Sequence, residues 1–190
     1  VYEDTSNERV LAASQALTAD DISADGKSAK LTFTLTNPKD DQTVEYYYPA
    51  SLVSLNESGN IVVPIATQDG TLADVERHDY AYKSDYMSGT TLPSVTLENK
   101  FAIVAFTLKD ADGTNDITST ITGMTIKAGA ENYTVTRTAA AGPIYVIMRP
   151  VTAEQTIAIT ATDGTTNYTA LTIADGKTLD DYIIYDATAG

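Results

Sequence analysis

Apolar and polar residues alternate with a period of two along much of the chain, which predicts a protein built from β-strands. The alternation is clearest in residues 29–36, AKLTFTLT, where Leu31, Phe33 and Leu35 are separated by Lys and Thr. Successive side chains of a strand point to opposite faces, so this segment is predicted to be a strand with one buried face.

Three consecutive tyrosines mark residues 44–51, VEYYYPAS. In a strand, Tyr46 and Tyr48 share one face and Tyr47 points to the other. The tyrosines are therefore a platform for a sugar, anchors of a core or a family fingerprint. We expect Tyr46 and Tyr48 to anchor one face of the strand, with Tyr47 packing on the other side and Pro49 ending the strand.

The downstream sequence continues the β pattern. Residues 101–106, FAIVAF, form an apolar run typical of a central strand covered on both faces. Residues 123–137 predict a hairpin with an Ala-Gly-Ala tip. Residues 156–173 predict a second hairpin, in which Asp163 and Gly164 form a tight turn with positive torsions.

One segment has helical character. In QDGTLADVERHD, Thr71 is placed to cap the next backbone amides, and Asp74 lies near the positive end of the predicted helical turn. Residues 84–94 combine Gly, Ser, Thr and Pro without apolar periodicity, which predicts a boundary between two halves, residues 1–90 and 91–190. Strands and turns recurring about every ten residues favour sandwiches or partly closed barrels.

Composition and charge limit the classes of molecule that the chain is expected to bind. Thr makes up roughly one residue in six, which suits pleated, half-exposed surfaces, and supports an all-β fold. The formal net charge of -14 repels phosphate backbones and anionic lipid heads, so we expect no nucleic-acid binding. No apolar run approaches bilayer length, so we expect no membrane insertion of this chain. Basic and neutral partners remain open.

Catalytic chemistry has little support in the sequence. The single His, His78, stands beside Asp79 without a nucleophile-elbow motif, and it is interpreted as an ordinary loop residue. Two carboxylates could support glycoside hydrolysis, and Glu45 and Glu98 are the better candidates because they lie in strand-like surroundings. Each also fits the polar face of its strand, so we rank a hydrolase last and expect no enzyme.

Calcium is the one metal that the residue types allow, because it takes oxygen ligands whereas zinc prefers His and Cys. The loop DADGTND offers four oxygen-bearing side chains around a Gly: Asp110, Asp112, Asn115 and Asp116. Its spacing departs from the EF-hand loop and it lacks a terminal Glu. An ordinary hairpin loop is the better interpretation, and we expect no metal and no cofactor.

The order of four segments carries a family resemblance. They are EYYYPASLVS, GNIVVPIATQDGTLADVERHDYAY, LPSVTLENKFAIVAFTLKD and GPIYVIMRPVTAEQTIAITATDGTTNYT. In this order they resemble the fimbrillin family of Bacteroidales-type bacteria, whose members are the subunits of type V pili. Each motif is loose alone, and their shared order over about residues 27–185 makes the similarity specific.

The resemblance implies two transthyretin-like β-sandwich domains, covering residues 1–90 and 91–190. It also implies export as an outer-membrane lipoprotein precursor to an extracellular fimbria on a Gram-negative cell surface. In such pili, proteolytic removal of an N-terminal segment is thought to open a groove that the C-terminal strand of the next subunit fills. The expected partners are copies of the chain or related pilins, joined by strand addition to a sheet edge.

Assembly residues are expected at both ends of the chain. The opening Val1 and Tyr2 have the pattern of a strand whose beginning is missing, and they are expected to flank the groove. Near the C-terminus, one alternating pair is expected to enter a neighbour's groove, either Tyr182 with Ile184 or Ile183 with Tyr185. The alternative is a tip adhesin or a carbohydrate- or protein-binding module of the same fold, with a host or bacterial surface ligand.

Overall fold

The computed structural model describes residues 1–13, 16–62, 65, 67–151, 156–173 and 184–189. Strands account for 42% of the structure and helix for 10%, which confirms the all-β prediction. The described elements, in chain order, are β1 (Tyr2–Glu3), β2 (Arg9–Val10), β3 (Gln42–Tyr48), β4 (Ser54–Leu55), β5 (Ile61–Val62), β6 (Thr67–Gln68), α1 (Leu72–His78), β7 (Ala81–Met87), β8 (Glu98–Asn99), β9 (Ala102–Leu108), β10 (Gly123–Ala128), β11 (Glu131–Thr136), β12 (Ile144–Met148), β13 (Thr156–Thr162), β14 (Asn167–Ile173) and β15 (Ile184–Ala189).

The chain divides into two compact units. Unit 1 comprises Val1–Val63 and Ala81–Glu98, and unit 2 comprises Pro64–Tyr80 and Asn99–Gly190. The predicted boundary between residues 90 and 91 would assign Pro64–Tyr80 to the first domain. In the structure this segment belongs to unit 2. The reason is non-local pairing, because β6 runs parallel to β11 and hydrogen-bonds to it.

Unit 1 is built on an antiparallel pair of long strands. β3 pairs with β7 from Gln42↔Met87 to Tyr48↔Ala81, and β8 follows β7 in the same sheet. The hairpins β1–β2 and β4–β5 are separate two-stranded sheets. A small core cluster contains the buried residues Tyr2, Val44 and Met87, against which Val10, Ala12, Leu35, Tyr46 and Leu92 pack.

The strand predicted over residues 29–36 is wrong as a paired element, because residues 30–36 carry no strand assignment. The predicted alternation is nevertheless present, since Leu31, Phe33 and Leu35 are half-buried and the residues between them are exposed. The amide of Lys30 donates to Asp21 O. A period of two reports which side chains are covered, and it does not report whether the backbone finds a ladder partner.

The three tyrosines of β3 divide between the two faces of the sheet. Tyr46 packs against the core cluster, as expected for an anchor. Tyr47 contacts Tyr82 on the other face, with ring centroids 4.9 Å apart. Tyr48 shares the face of Tyr46 but is 54% exposed, so its predicted role as a core anchor is wrong. It lies at the end of the strand, beyond the small core cluster.

Unit 2 contains two larger sheets. One has the order β14-β13-β10-β11-β6 and the other β12-β9-β15. The predicted central strand is confirmed, because β9 lies between two neighbours and its side chains are buried on both faces. The hairpin over residues 123–137 is confirmed as β10–β11, with Gly129 at φ 60° in the tip.

The hairpin β13–β14 is also confirmed, but its turn differs from the prediction. The last ladder pair is Thr162↔Asn167, so residues 163–166 form a four-residue loop in which Gly164 has φ 92°. The carboxylate Oδ1 of Asp163 accepts from the amides of Thr165 and Thr166, at 2.8 and 2.7 Å. This side-chain turn replaces the tight two-residue turn.

Candidate assembly surface

The C-terminal strand β15 lies at the end of the three-stranded sheet. It pairs with β9 in parallel, from Ile184↔Ile103 to Ala189↔Leu108. Ile184 and Tyr185, two of the predicted assembly residues, are therefore paired with β9 of the same chain. Tyr182 and Ile183 lie outside the described residues. The other pairing described in this sheet, between β12 and β9, is antiparallel. The ladder between β9 and β15 is parallel.

The opposite edge of the same sheet is covered by one buried side chain. Gln68 is 4% exposed, and its amide bonds both backbone groups of Ile147 in β12. Gln68 Oε1 accepts from Ile147 N at 2.9 Å, and Gln68 Nε2 donates to Ile147 O at 2.7 Å. A primary amide offers a donor and an acceptor side by side, as a neighbouring strand does. Gln68 therefore occupies the edge at the point where another strand could pair.

Gly70 extends this cover. Its carbonyl accepts from Tyr145 N at 2.9 Å, one alternate position along β12. Gly70 has φ +78°, and a Cβ there would lie 3.0 Å from side-chain atoms of both Ile144 and Val135. Only glycine fits this close approach without strain. Gln68 and Gly70 together close the β12 edge over residues 145–147.

Helix α1 holds this segment in place and packs against β12. The Thr71 hydroxyl accepts from Asp74 N at 3.1 Å, which confirms the predicted cap. The buried carboxylate of Asp74 accepts from Asp69 N at 2.7 Å and pairs with Arg77 at 2.8 Å. A hydrogen bond from Thr71 keeps the pKa of Asp69 below its ordinary value. The turn is fixed at its start by side chains of its own sequence.

Val1 and Tyr2 lie in unit 1, whereas Ile184 and Tyr185 lie in unit 2. Val1 exchanges backbone hydrogen bonds with Glu45 of β3, at 2.9 and 2.6 Å. Tyr2 is 3% exposed and belongs to the core cluster. Its hydroxyl donates to Thr36 O at 3.1 Å and accepts from Thr36 N at 3.0 Å. The Tyr2 side chain is thus part of the buried core of unit 1.

A second glutamine repeats the arrangement in unit 1. Gln42 is buried, its Oε1 accepts from Glu3 N, and its Nε2 donates to Glu3 O at 2.8 Å. Sequence reasoning did not identify Gln42 or Gln68 as edge residues. The available signal was weak, because a lone Gln in a strand usually marks an exposed position.

The residues considered for catalysis each have a structural partner. Glu45 is paired with Arg9, and Glu98 with Lys83 at 2.7 Å. His78 is the last residue of α1, and its Nε2 lies 3.5 Å from Asp74 Oδ1. His78 was predicted to lie in a loop, and the helix extends to include it.

Two carboxylates of the acidic loop after β9 accept hydrogen bonds from groups of the same loop. Asp110 accepts from the amides of Thr114 and Asn115 and from the Asn115 side chain, and Asp116 accepts from Thr118 N at 2.8 Å. The hydrogen bond from the Asn115 side chain is the main cause that lowers the pKa of Asp110, and hydrogen bonds from the side chain and the amide of Thr118 lower the pKa of Asp116. Asp112 is exposed in the turn. Within the described part of the chain, no group of three or more His, Cys, Asp or Glu side chains is arranged to hold a metal.

The described residues include no helix that is long and apolar enough to cross a bilayer. Comparison of the chain with protein-family models, with curated proteins and with solved structures finds no significant match.

Proposed function

We propose that this chain is a non-catalytic structural subunit of a bacterial surface fimbria that polymerises by exchange of its C-terminal strand. The observation that carries the proposal is the position of β15, the last strand that the structure describes, which among the described residues joins its sheet through the ladder to β9. The partners are copies of this chain or related pilins. The two units correspond in this proposal to transthyretin-like β-sandwich domains, as in the fimbrillin family that the sequence resembles.

Strand exchange preserves the bonds that β15 already makes. A copy of β15 from a neighbouring subunit can form the same six-residue ladder on β9, from Ile103 to Leu108, as the chain's own strand does. The exchange therefore changes connectivity and leaves the number of backbone hydrogen bonds unchanged. β9 contributes a sheet edge whose neighbouring side chains are buried, which favours a well-fitted strand over an unrelated one.

In this proposal, the closed β12 edge determines which edge of the sheet accepts the exchanged strand. Gly70 accepts from Tyr145 N, and Gln68 bonds both backbone groups of Ile147, so a strand that adds to this sheet is directed to the β9 side. In the proposal, the subunit acts on an extracellular Gram-negative cell surface after export as a lipoprotein precursor and removal of an N-terminal segment. The net charge of -14 opposes indiscriminate pairing before assembly.

A cysteine pair across the ladder tests the proposal. The chain has no Cys, so the double variant Thr107→Cys with Thr188→Cys carries the only thiols. These residues are register partners in β9 and β15, and neighbouring strands about 4.8 Å apart satisfy disulfide geometry. We expect an intrachain disulfide in the monomer and a covalent ladder of oligomers in polymerised protein, read by non-reducing electrophoresis.

The control pair Thr107→Cys with Asp186→Cys shifts one thiol by two positions, about 6.6 Å along the strand. It should crosslink much less in both states. Polymers that form without interchain crosslinks at Thr107 and Thr188 would show that β15 is not the exchanged strand. Protein that stays monomeric in electron micrographs under every assembly condition, including strand-exchange from partly unfolded monomer, contradicts the role as a fibre subunit.

A further inference from the structure

The face of the β3–β7 pair that turns away from the core cluster of unit 1 is polar and aromatic. The register places six side chains on it, in three facing pairs: Thr43 and Tyr86, Glu45 and Ser84, Tyr47 and Tyr82. The opposite face carries Val44, Tyr46 and Met87, which form or contact the core.

The hairpin β1–β2 lies next to this face, where Arg9 of β2 contacts Glu45 of β3. Glu3 and Arg9 are register partners, and Arg9 Nη2 donates to Glu45 Oε2 while Arg9 Nη1 donates to Gly59 O at 3.2 Å. Between hairpin and sheet lies a cleft of about 260 Å³, lined by Val1, Tyr2, Glu3, Arg9, Thr43 and Glu45. This volume is below the roughly 300 Å³ at which drug-sized pockets begin, so the cleft suits a small unit of a ligand.

Charges of both signs lie in and beside the cleft, where the Val1 ammonium donates to Glu45 O, although the whole chain is strongly acidic. Glu45 pairs with Arg9, and Glu3 pairs with Lys39 at 3.2 Å. A cationic ligand would compete with the existing cations, and an anionic one would face two carboxylates. The cleft nevertheless retains hydrogen-bonding capacity, because a guanidinium has five N–H donors, a carboxylate has about four acceptor sites, and Thr43 adds a hydroxyl. An uncharged ligand with many hydroxyl groups fits this arrangement.

An exposed ring stands next to the cleft. Tyr86 is 56% exposed and lies directly opposite Thr43, which lines the cleft. The Tyr47–Tyr82 ring pair lies on the same face. Tyr82 and Tyr86 are four residues apart on β7, about 13 Å in an extended strand. Aromatic rings bind the apolar C–H faces of polar ligands while their hydroxyls contact water or polar groups.

We propose that this cleft and Tyr86 bind a neutral carbohydrate of two or more sugar rings. One ring occupies the cleft, where it donates hydroxyls to Glu45 and accepts from Arg9, and its neighbour stacks on Tyr86. Such a site gives the subunit an adhesive function on this face of the β3–β7 pair. It does not involve β15, so it is independent of the proposed strand exchange.

The test uses the full chain and a printed array of uncharged oligosaccharides, with sialylated glycans and a trilysine peptide as charged comparators. Binders are then titrated while amide chemical shifts are recorded. We expect dissociation constants on the order of 1 mM or tighter, as a few hydrogen bonds and one stacked ring allow. The shifts should centre on Arg9, Thr43, Glu45 and Tyr86.

Two tyrosines provide a matched comparison. Tyr86→Ala should weaken binding about tenfold, because it removes the stacked ring. Tyr48→Ala removes a ring of similar exposure, 54%, from the opposite face and should leave binding unchanged. Circular dichroism confirms that both variants fold. The proposal is overturned if the array shows no neutral ligand, if charged comparators bind better, or if the two variants weaken binding equally.

Discussion

At the scale of single residues, two buried glutamines form hydrogen bonds with the backbone at the edge of a sheet. Gln42 pairs with both backbone groups of Glu3, and Gln68 pairs with both backbone groups of Ile147. A buried amide is costly unless every donor and acceptor is matched. Here the side chain and the backbone satisfy each other, so each glutamine is a structural element of an edge.

We predict that Gln68→Leu destabilises unit 2 by about 2–4 kcal/mol, because it leaves Ile147 N–H and C=O buried without partners at roughly 1–3 kcal/mol each. Urea denaturation measures the loss, and hydrogen exchange at the Ile147 amide should accelerate. Gln42→Leu is the matched control, since it removes the same type of bond in unit 1. Unchanged exchange at Ile147 in Gln68→Leu would refute the edge-capping role.

A comparison of alanine variants at Gly70 and Gly113 distinguishes the cost of backbone strain from the cost of a steric clash. Both have positive φ, +78° and +68°, but only a Cβ at Gly70 meets neighbouring atoms, at 3.0 Å. We predict that Gly113→Ala costs about 1 kcal/mol of strain and Gly70→Ala about 2–4 kcal/mol, because overpacking adds to the strain. Thermal denaturation compares the two variants. Equal losses would mean that the neighbours of Gly70 yield freely.

At the scale of elements, local signals predicted several elements whose partners are close in sequence. The hairpins β10–β11 and β13–β14 and the capped helix α1 follow from alternation, turn residues and Thr71. Residues 29–36 have the clearest alternation in the chain, but residues 30–36 carry no strand assignment. The β6–β11 pairing, which moves a whole segment into unit 2, joins residues far apart in sequence. The alternation of apolar and polar residues in a strand does not indicate which distant strand it pairs with.

The proposed assembly surface shows the same limit. A strand near the C-terminus was predicted, but its extent to Ala189 and its parallel pairing with β9 were not. The sequence also offered no sign that Gln68 closes the opposite edge. Whether a strand belongs to its own sheet or to a neighbour's depends on free energies that are nearly equal, because the same backbone bonds form in both cases.

An acceptor edge can be tested with a free strand. We predict that deletion of residues 184–190 lowers the stability of unit 2, because it exposes the β9 edge, and that the peptide IYDATAG restores stability when added in trans. A ligand that binds only the folded state stabilises it by about 2.7 kcal/mol at one hundred times its dissociation constant. Thermal melting against peptide concentration measures the effect.

A scrambled peptide of the same composition is the control for this complementation, and it should have little effect. Restoration by both peptides would indicate non-specific binding to exposed apolar surface. A truncated chain that keeps full stability would show that β15 contributes nothing to the sheet, and it would remove the main support for strand exchange.

At the scale of the whole molecule, two electrostatic effects oppose each other as pH falls. The net charge of -14 at pH 7 disfavours a compact chain through self-repulsion, and protonation relieves it. Against this, hydrogen bonds hold the pKa of Asp69, Asp110, Asp116 and Asp163 below the ordinary value of 3.8. A depressed pKa contributes stability above the unfolded value, and this stability is lost as pH falls through the folded value.

We therefore predict that, at low ionic strength, the melting temperature rises from pH 7 to about pH 5 and falls below the ordinary Asp pKa of 3.8. In about 0.5 M salt, where the Debye length is only a few ångströms, the rise should disappear and the fall should remain, because the Asp carboxylates contact their amides directly. Asp163→Asn keeps an acceptor for the amides of Thr165 and Thr166 but cannot be protonated in this range. It should therefore show a smaller acid loss than the parent chain, whereas an identical loss would mean that this hydrogen-bonded carboxylate does not contribute to acid unfolding.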